Sequence, residues 1–171
     1  MTVYVALLRA VNVGGTGRLP MEQLRAICAE LGYRDPRTYI ASGNVVFESE
    51  RGEAAVKAEL EKALEAYAGK PVGVLARTGD ELAAVLAANP FPSAPANRTV
   101  AIFLDAPPPG GWEKGVVGRA GEEIAAGARE FYVHYGDGMG QSKLRIAAAA
   151  DGTARNMNTI ARLAAMAAER G

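Results

Sequence analysis

Cysteine is almost missing from this chain: Cys28 is the only one in 171 residues. One thiol excludes an intramolecular disulfide and any multi-cysteine metal site. On an apolar helical face it reads as a small buried side chain. Histidine is equally scarce, and His134 stands in no Ser-His-Asp or Cys-His spacing that would mark a nucleophile. No cluster of His, Cys, Asp and Glu points to a metal. No uncharged apolar run reaches the roughly 18 residues of a membrane span; Ile146 to Ala150 and Ala161 to Ala168 are too short or too charged. The opening M-T-V-Y-V-A-L-L-R lacks the basic region and long apolar run of a signal peptide, so the expected location is the cytoplasm. Charge of one sign is missing too. Lys plus Arg and Asp plus Glu number 19 each, and any nucleic-acid or membrane role would need a local patch. What is present is apolar residue in quantity, 49%, enough to bury one core or two small ones.

The pattern of those apolar residues sets out the elements. Tyr4 to Arg9 is a compact apolar run, long enough for a buried strand. A Gly-rich loop, Asn12 to Gly17, follows it, and a helix opens near Pro20. Met21, Leu24, Ile27, Cys28 and Leu31 keep the spacing of one buried helical face until Gly32 ends it. Arg37 to Ala41 and Asn44 to Glu48 read as a hairpin turning at Ser42-Gly43-Asn44. A helix over Glu53 to Tyr67 and a strand over Val72 to Arg77 complete a β-α-β-β-α-β order, the ferredoxin-like pattern. The charges from Lys57 to Glu65 read as a solvated helix face.

Thr78 to Glu81 is a capping box opening a connecting helix, and Asn89-Pro90-Phe91-Pro92 stops it. Beyond lie a strand at Thr99 to Leu104 and a short helix around Trp112 to Gly118. A strand pair follows at Glu122 to Ala126 and Glu130 to Tyr135, then a helix capped by Ser142 and a closing helix from about Asn156 to Glu169. The fold class expected is α+β: two ferredoxin-like lobes, the second degenerate, plus a C-terminal helix. The divisions are 1–77, a connecting helix and linker at 78–95, and 96–171. No residue-level repeat joins the two halves.

Topology then brings distant residues together. With strands one and two parallel and strand three between them, the exit of strand one lies at the same edge as the hairpin turn. That places Asn12, Gly14 and Gly15 beside Ser42, Gly43 and Asn44, with Arg9 and Arg18 flanking and the N-terminus of the first helix aimed the same way. Adjacent glycines can present successive backbone N–H groups, a setting suited to a phosphate or carboxylate. Neither a P-loop nor a dinucleotide fingerprint is present, so no cofactor is expected.

Three segments carry a family resemblance: R-A-V-N-V-G-G with P-M-x-x-L, then T-Y-I-A-S-G-N-V-V-F, then S-K-L with G-T-A-R-N-M-N-T. Together they resemble the bacterial domain of unknown function 1697 family along essentially the whole chain. The resemblance implies paired ferredoxin-like lobes and no assigned activity. It marks Arg9, Asn12, Gly14, Gly15, Ser42, Gly43 and Asn44, and in the second half Ser142, Lys143, Thr153, Arg155, Asn156 and Thr159. Met157 stands where many members carry Trp, which puts a stacking role there in doubt. Read from the residues alone, Thr153 to Thr159 cap the last helix. The alternative is a second anion-binding edge, with Lys143, Arg155 and Asn156 facing the first.

The first functional reading is a protein that binds a small anionic ligand, phosphate- or carboxylate-bearing, with no metal and no membrane. RNA binding is the runner-up, since the same fold stacks bases on its central strands. A small enzyme acting on a phosphorylated metabolite is a third reading, for which no residue stands out as general base. A protein-interaction module is the fourth.

Overall fold

The computed structural model describes residues 1–10 and 18–170. Its contacts group into two units, residues 1–82 with 162–171 and residues 83–161. The chain is α+β, built of antiparallel sheets and helices.

The first unit runs β1 (Thr2–Leu8), α1 (Met21–Glu30), β2 (Arg34–Thr38), β3 (Asn44–Ser49), α2 (Glu53–Ala68) and β4 (Val74–Thr78). Its sheet has the order β2-β3-β1-β4, with every neighbouring pair antiparallel. Strands β1 and β2 are therefore parallel with β3 between them, which is compatible with a ferredoxin-like arrangement. Helix α1 buries Leu24, Ile27 and Cys28, and α2 buries Val56, Leu60 and Leu64, each set one stripe wide. Gly32 (φ 86°) and Gly69 (φ 74°) end these helices in the left-handed region, where a side chain would be strained. The stripes pack with Tyr4, Ala6, Leu8, Val45, Phe47 and Val74 from one face of the sheet. Tyr33 stacks on Phe47 with ring centroids 4.4 Å apart. Burying each such large apolar side chain contributes about 1.5–3 kcal/mol.

Three local details depart from the sequence reading. The hairpin turn is longer than Ser42 to Asn44: β2 stops at Thr38, although Tyr39 N–H still donates to Asn44 C=O at 3.1 Å. Exposed Ile40 sits at φ 50°, a strained setting for a β-branched residue. Second, the α2 charges are not only a solvated face. Lys57 Nζ donates to Val74 C=O at 2.5 Å, and Glu61 Oε2 accepts from Val74 N–H at 3.1 Å, so the helix clasps the start of β4. Third, β2 is irregular between Arg34 and Arg37, where Asp35 is left-handed and Pro36 has no N–H. The guanidinium of Arg170 fills this gap. It donates to the carbonyls of Arg34 (3.5 Å), Val46 (3.2 Å) and Asp35, and lies 3.5 Å from Glu48 Oε2. Residues 162–171 group with the first unit, which Arg170, Arg162 over the Tyr39 ring and Ala167 beside Gly79 all contact.

Helix α3 (Gly79–Ala87) opens with the expected capping box: Glu81 N–H donates to Thr78 Oγ1 at 3.1 Å, and Thr78 N–H donates to Glu81 Oε1 at 2.9 Å. The second unit then holds β5 (Thr99–Phe103), β6 (Val116–Val117), β7 (Glu123–Ala126), β8 (Glu130–His134), β9 (Arg145–Ile146) and β10 (Thr153–Asn156). After β10 comes α4 (Met157–Ala168). The main sheet has the order β10-β5-β8-β7, and β6 pairs with β9 apart from it. Trp112, on a single 3-10 turn, meets Phe131 edge-on at 4.9 Å in this unit's core.

Two expectations fail here. No helix runs from Ser142: residues 136–141 form a 3-10 helix before it, and β9 follows. Thr153 to Asn156, read as a cap region, is a strand paired with β5. Only Asn156 caps α4, its Oδ1 accepting from Thr159 N–H at 2.9 Å. The strand also reveals a short repeat. Ala76-Arg77-Thr78 ends β4, and Ala154-Arg155-Asn156 ends β10. In each the arginine is buried, donates to the preceding alanine's carbonyl at 3.0 Å, and is followed by the residue that caps the next helix.

Candidate functional site

The last residue of β1 and the one after it are held from two sides. Leu8 N–H donates to Gly43 C=O at 2.9 Å, and Arg9 N–H donates to Gly73 C=O at 2.8 Å. The first bond sets the strand's exit against the hairpin turn, as the topology argument required. The second sets it against the approach to β4. Ala10 follows at φ 52°. Gly73 is glycine for a reason of space: a Cβ there would meet Arg9 Cδ at 3.2 Å. The arginine stem therefore runs close over the backbone of residue 73.

Arg9 opens onto a cavity of about 680 Å³. Arg18 and Lys70 line it as well, and Leu19, Leu64, Tyr67 and Val72 form its apolar wall. Among the described lining residues there are three cations and no Asp or Glu. Lys70 alone would be explained by its place just past the C-terminal end of α2, where a cation complements the helix dipole. Arg9 and Arg18 arrive from other segments. Such a set of side chains suits an anion carried on an apolar body.

The other residues singled out in the sequence fall elsewhere. Asn12, Gly14 and Gly15 lie outside the described residues. Asn44 is fully buried, and its amide donates to Tyr39 C=O and Ser42 Oγ, both at 2.9 Å, which ties the hairpin turn together. Lys143, Arg155 and Asn156 belong to the second unit. Arg155 is buried on β10 and donates to Thr153 Oγ1 at 2.8 Å, with burial lowering its pKa to about 10. Lys143 is exposed, and its carbonyl lies so close to left-handed Gly118 that a Cβ there would be 2.1 Å away. Lys70 and Tyr67 were not legible as site residues, because only the fold carries the end of α2 to the exit of β1.

Further polar clusters have structural work. Ser142 Oγ donates to Glu122 Oε2 and accepts from Leu144 N–H at 3.2 Å. The hydroxyl bond, followed by the backbone N–H of Ala120, holds the Glu122 carboxyl below its ordinary range. Cys28 is buried, and burial pushes its thiol up to about 12, which leaves it protonated and unreactive. Among the described residues no group of His, Cys, Asp and Glu could hold a metal, and no helix is long and apolar enough to cross a membrane. The central strands do not offer a base-stacking platform. Tyr4 and Phe47 face the helices, 6.0 Å apart, while Val5, Leu7, Val46 and Leu75 on the opposite face are all buried.

The fold defines an α+β protein with two four-stranded antiparallel sheets and a two-stranded one, and its first unit carries a cationic pocket. Residues 1–132 match the model of the family described as "Protein of unknown function (DUF1697)", and the chain belongs to that family. It is similar in structure to the conserved bacterial protein SP0830 from Streptococcus pneumoniae. The TM-score is 0.76 at 21% identity, over 97% of this chain and 98% of that one, a likeness of fold. No curated protein matches the chain.

Proposed function

We propose that this protein binds a small anionic ligand in the cavity at the exit of β1, with Arg9, Arg18 and Lys70 holding the charge. The observation that carries this reading is the composition of the wall: three cations and no described carboxylate, in a chain whose charges balance overall at 19 and 19. Cations gathered without carboxylates raise the local concentration of anions and favour their capture. The cavity shares Arg9 and Arg18 with the site read from the sequence. It uses the α2–β4 connection, whereas the buried amide of Asn44 serves the turn. A cytoplasmic location belongs to this proposal.

Binding is favoured over turnover, because the described lining holds no His, Asp or Glu to move a proton. A thermal-shift series with inorganic phosphate, citrate and sugar phosphates tests the reading. At least one of these anions raises the melting temperature of the wild-type chain. The Arg9→Gln, Arg18→Gln double variant loses that shift while melting at the same temperature without ligand. A wild-type chain whose melting point no anion moves would refute it.

A further inference from the structure

Resting on that reading, we propose that the ligand is an amphiphile: a phosphate monoester whose apolar body lies against Tyr67, Leu64 and Val72 while its phosphate meets Arg9, Arg18 and Lys70. Size argues first. About 680 Å³ falls within the several-hundred-Å³ range of sites that enclose organic ligands. An inorganic phosphate, a few water volumes across, would leave most of that space unfilled.

Composition argues second. An ion site needs donors alone, yet here a buried leucine from α2 (Leu64), another ahead of α1 (Leu19), Val72 and the ring of Tyr67 form one wall. Tyr67 is 46% exposed, one of few large apolar side chains so placed. Nothing in the packing of α2 calls for an aromatic there, since Val56, Leu60 and Leu64 already fill its buried stripe. An aromatic ring open to solvent beside cations is suited to cover the flat or aliphatic part of a ligand.

Charge argues third. Three cations on separate segments exceed what one carboxylate can engage, and they suit the dianionic, three-oxygen end of a phosphate monoester. Gly73 acts here as a positioning residue. It leaves room for the Arg9 stem, since a Cβ there would sit only 3.2 Å from Arg9 Cδ and press the side chain aside.

Titration calorimetry of the full chain with inorganic phosphate, phenyl phosphate and phenylacetate tests this. Phenyl phosphate binds about tenfold or more tightly than inorganic phosphate, from the apolar area it buries. Phenylacetate binds more weakly than phenyl phosphate. Tyr67→Ala, a change at an exposed position, removes most of the preference for phenyl phosphate, lowering its affinity several-fold more than that of inorganic phosphate. Gly73→Ala weakens both phosphates by displacing Arg9. Equal affinity for the two phosphates, or a preference that survives Tyr67→Ala, overturns the amphiphile and leaves the anion site standing. No binding of either phosphate overturns both.

Discussion

Two concavities in the first unit hold the same number of cations and set them among different neighbours. The cavity at the exit of β1 has Arg9, Arg18 and Lys70 and no described carboxylate. The groove along β2, about 440 Å³, has Arg37, Arg162 and Arg170 alongside Asp35, Glu48 and Glu169. In the groove the charges meet one another: Arg37 and Arg170 lie 3.4 and 3.7 Å from Asp35, and Arg170 lies 3.5 Å from Glu48. Arg162 lies over the Tyr39 ring at 5.9 Å. Those cations are spent on holding the chain together. On the proposed reading, the carboxylates beside the cations, and not the number of cations, distinguish the cavity from the groove.

The contrast can be broken most forcefully at Arg170. Arg170→Ala removes the donor that serves three carbonyls and lowers stability by about 2–3 kcal/mol, read as a fall in the urea midpoint. Arg170→Lys recovers less than half, since one ammonium cannot fan across that spread. A smaller loss follows at its acidic partner: Glu48→Gln costs about 1 kcal/mol, again by urea unfolding, because the half-buried charge pair becomes a neutral contact. In the cavity, joint replacement of Arg9, Arg18 and Lys70 by Gln abolishes phosphate binding, read by calorimetry, and lowers unfolding stability by no more than about 1 kcal/mol. Smallest of all in stability is Ala68→Glu, which adds a carboxylate to a described lining that has none. It costs a few tenths of a kcal/mol at the end of α2, and calorimetry should find anion binding lost.

The sequence carried the first unit well because its signals are local and repeated. The Leu24, Ile27, Cys28 stripe, the Val56, Leu60, Leu64 stripe and the two terminating glycines each declare a helix over a few turns. The topology argument then needed only the crossover rule to bring β1's exit to Gly43, which the Leu8 to Gly43 bond meets. What escaped was set by long-range pairing. Thr153 to Asn156 has the polar composition of a cap, and only the ladder to β5 makes it a strand. Asn44 looked like a ligand-facing side chain because Ser-Gly-Asn marks a turn tip; the longer turn draws it inside. The Ala-Arg-cap repeat spans three residues, too few to stand out until both copies are seen at the end of a fourth strand. Lys70 and Tyr67 sit some sixty residues from Arg9 in sequence, and no spacing rule connects them.

The kink at Asp35–Pro36 has a meaning for how copies of this chain meet one another. An outer strand with regular spacing is a template on which a second strand can assemble, the usual route to unwanted self-association. Here that border is bent, lacks an N–H, and is stoppered by a guanidinium arriving from the other end of the chain. Removal of the Arg170 side chain would take that donor from the carbonyls of Arg34, Asp35 and Val46 and open this border to any neighbouring strand able to donate to them.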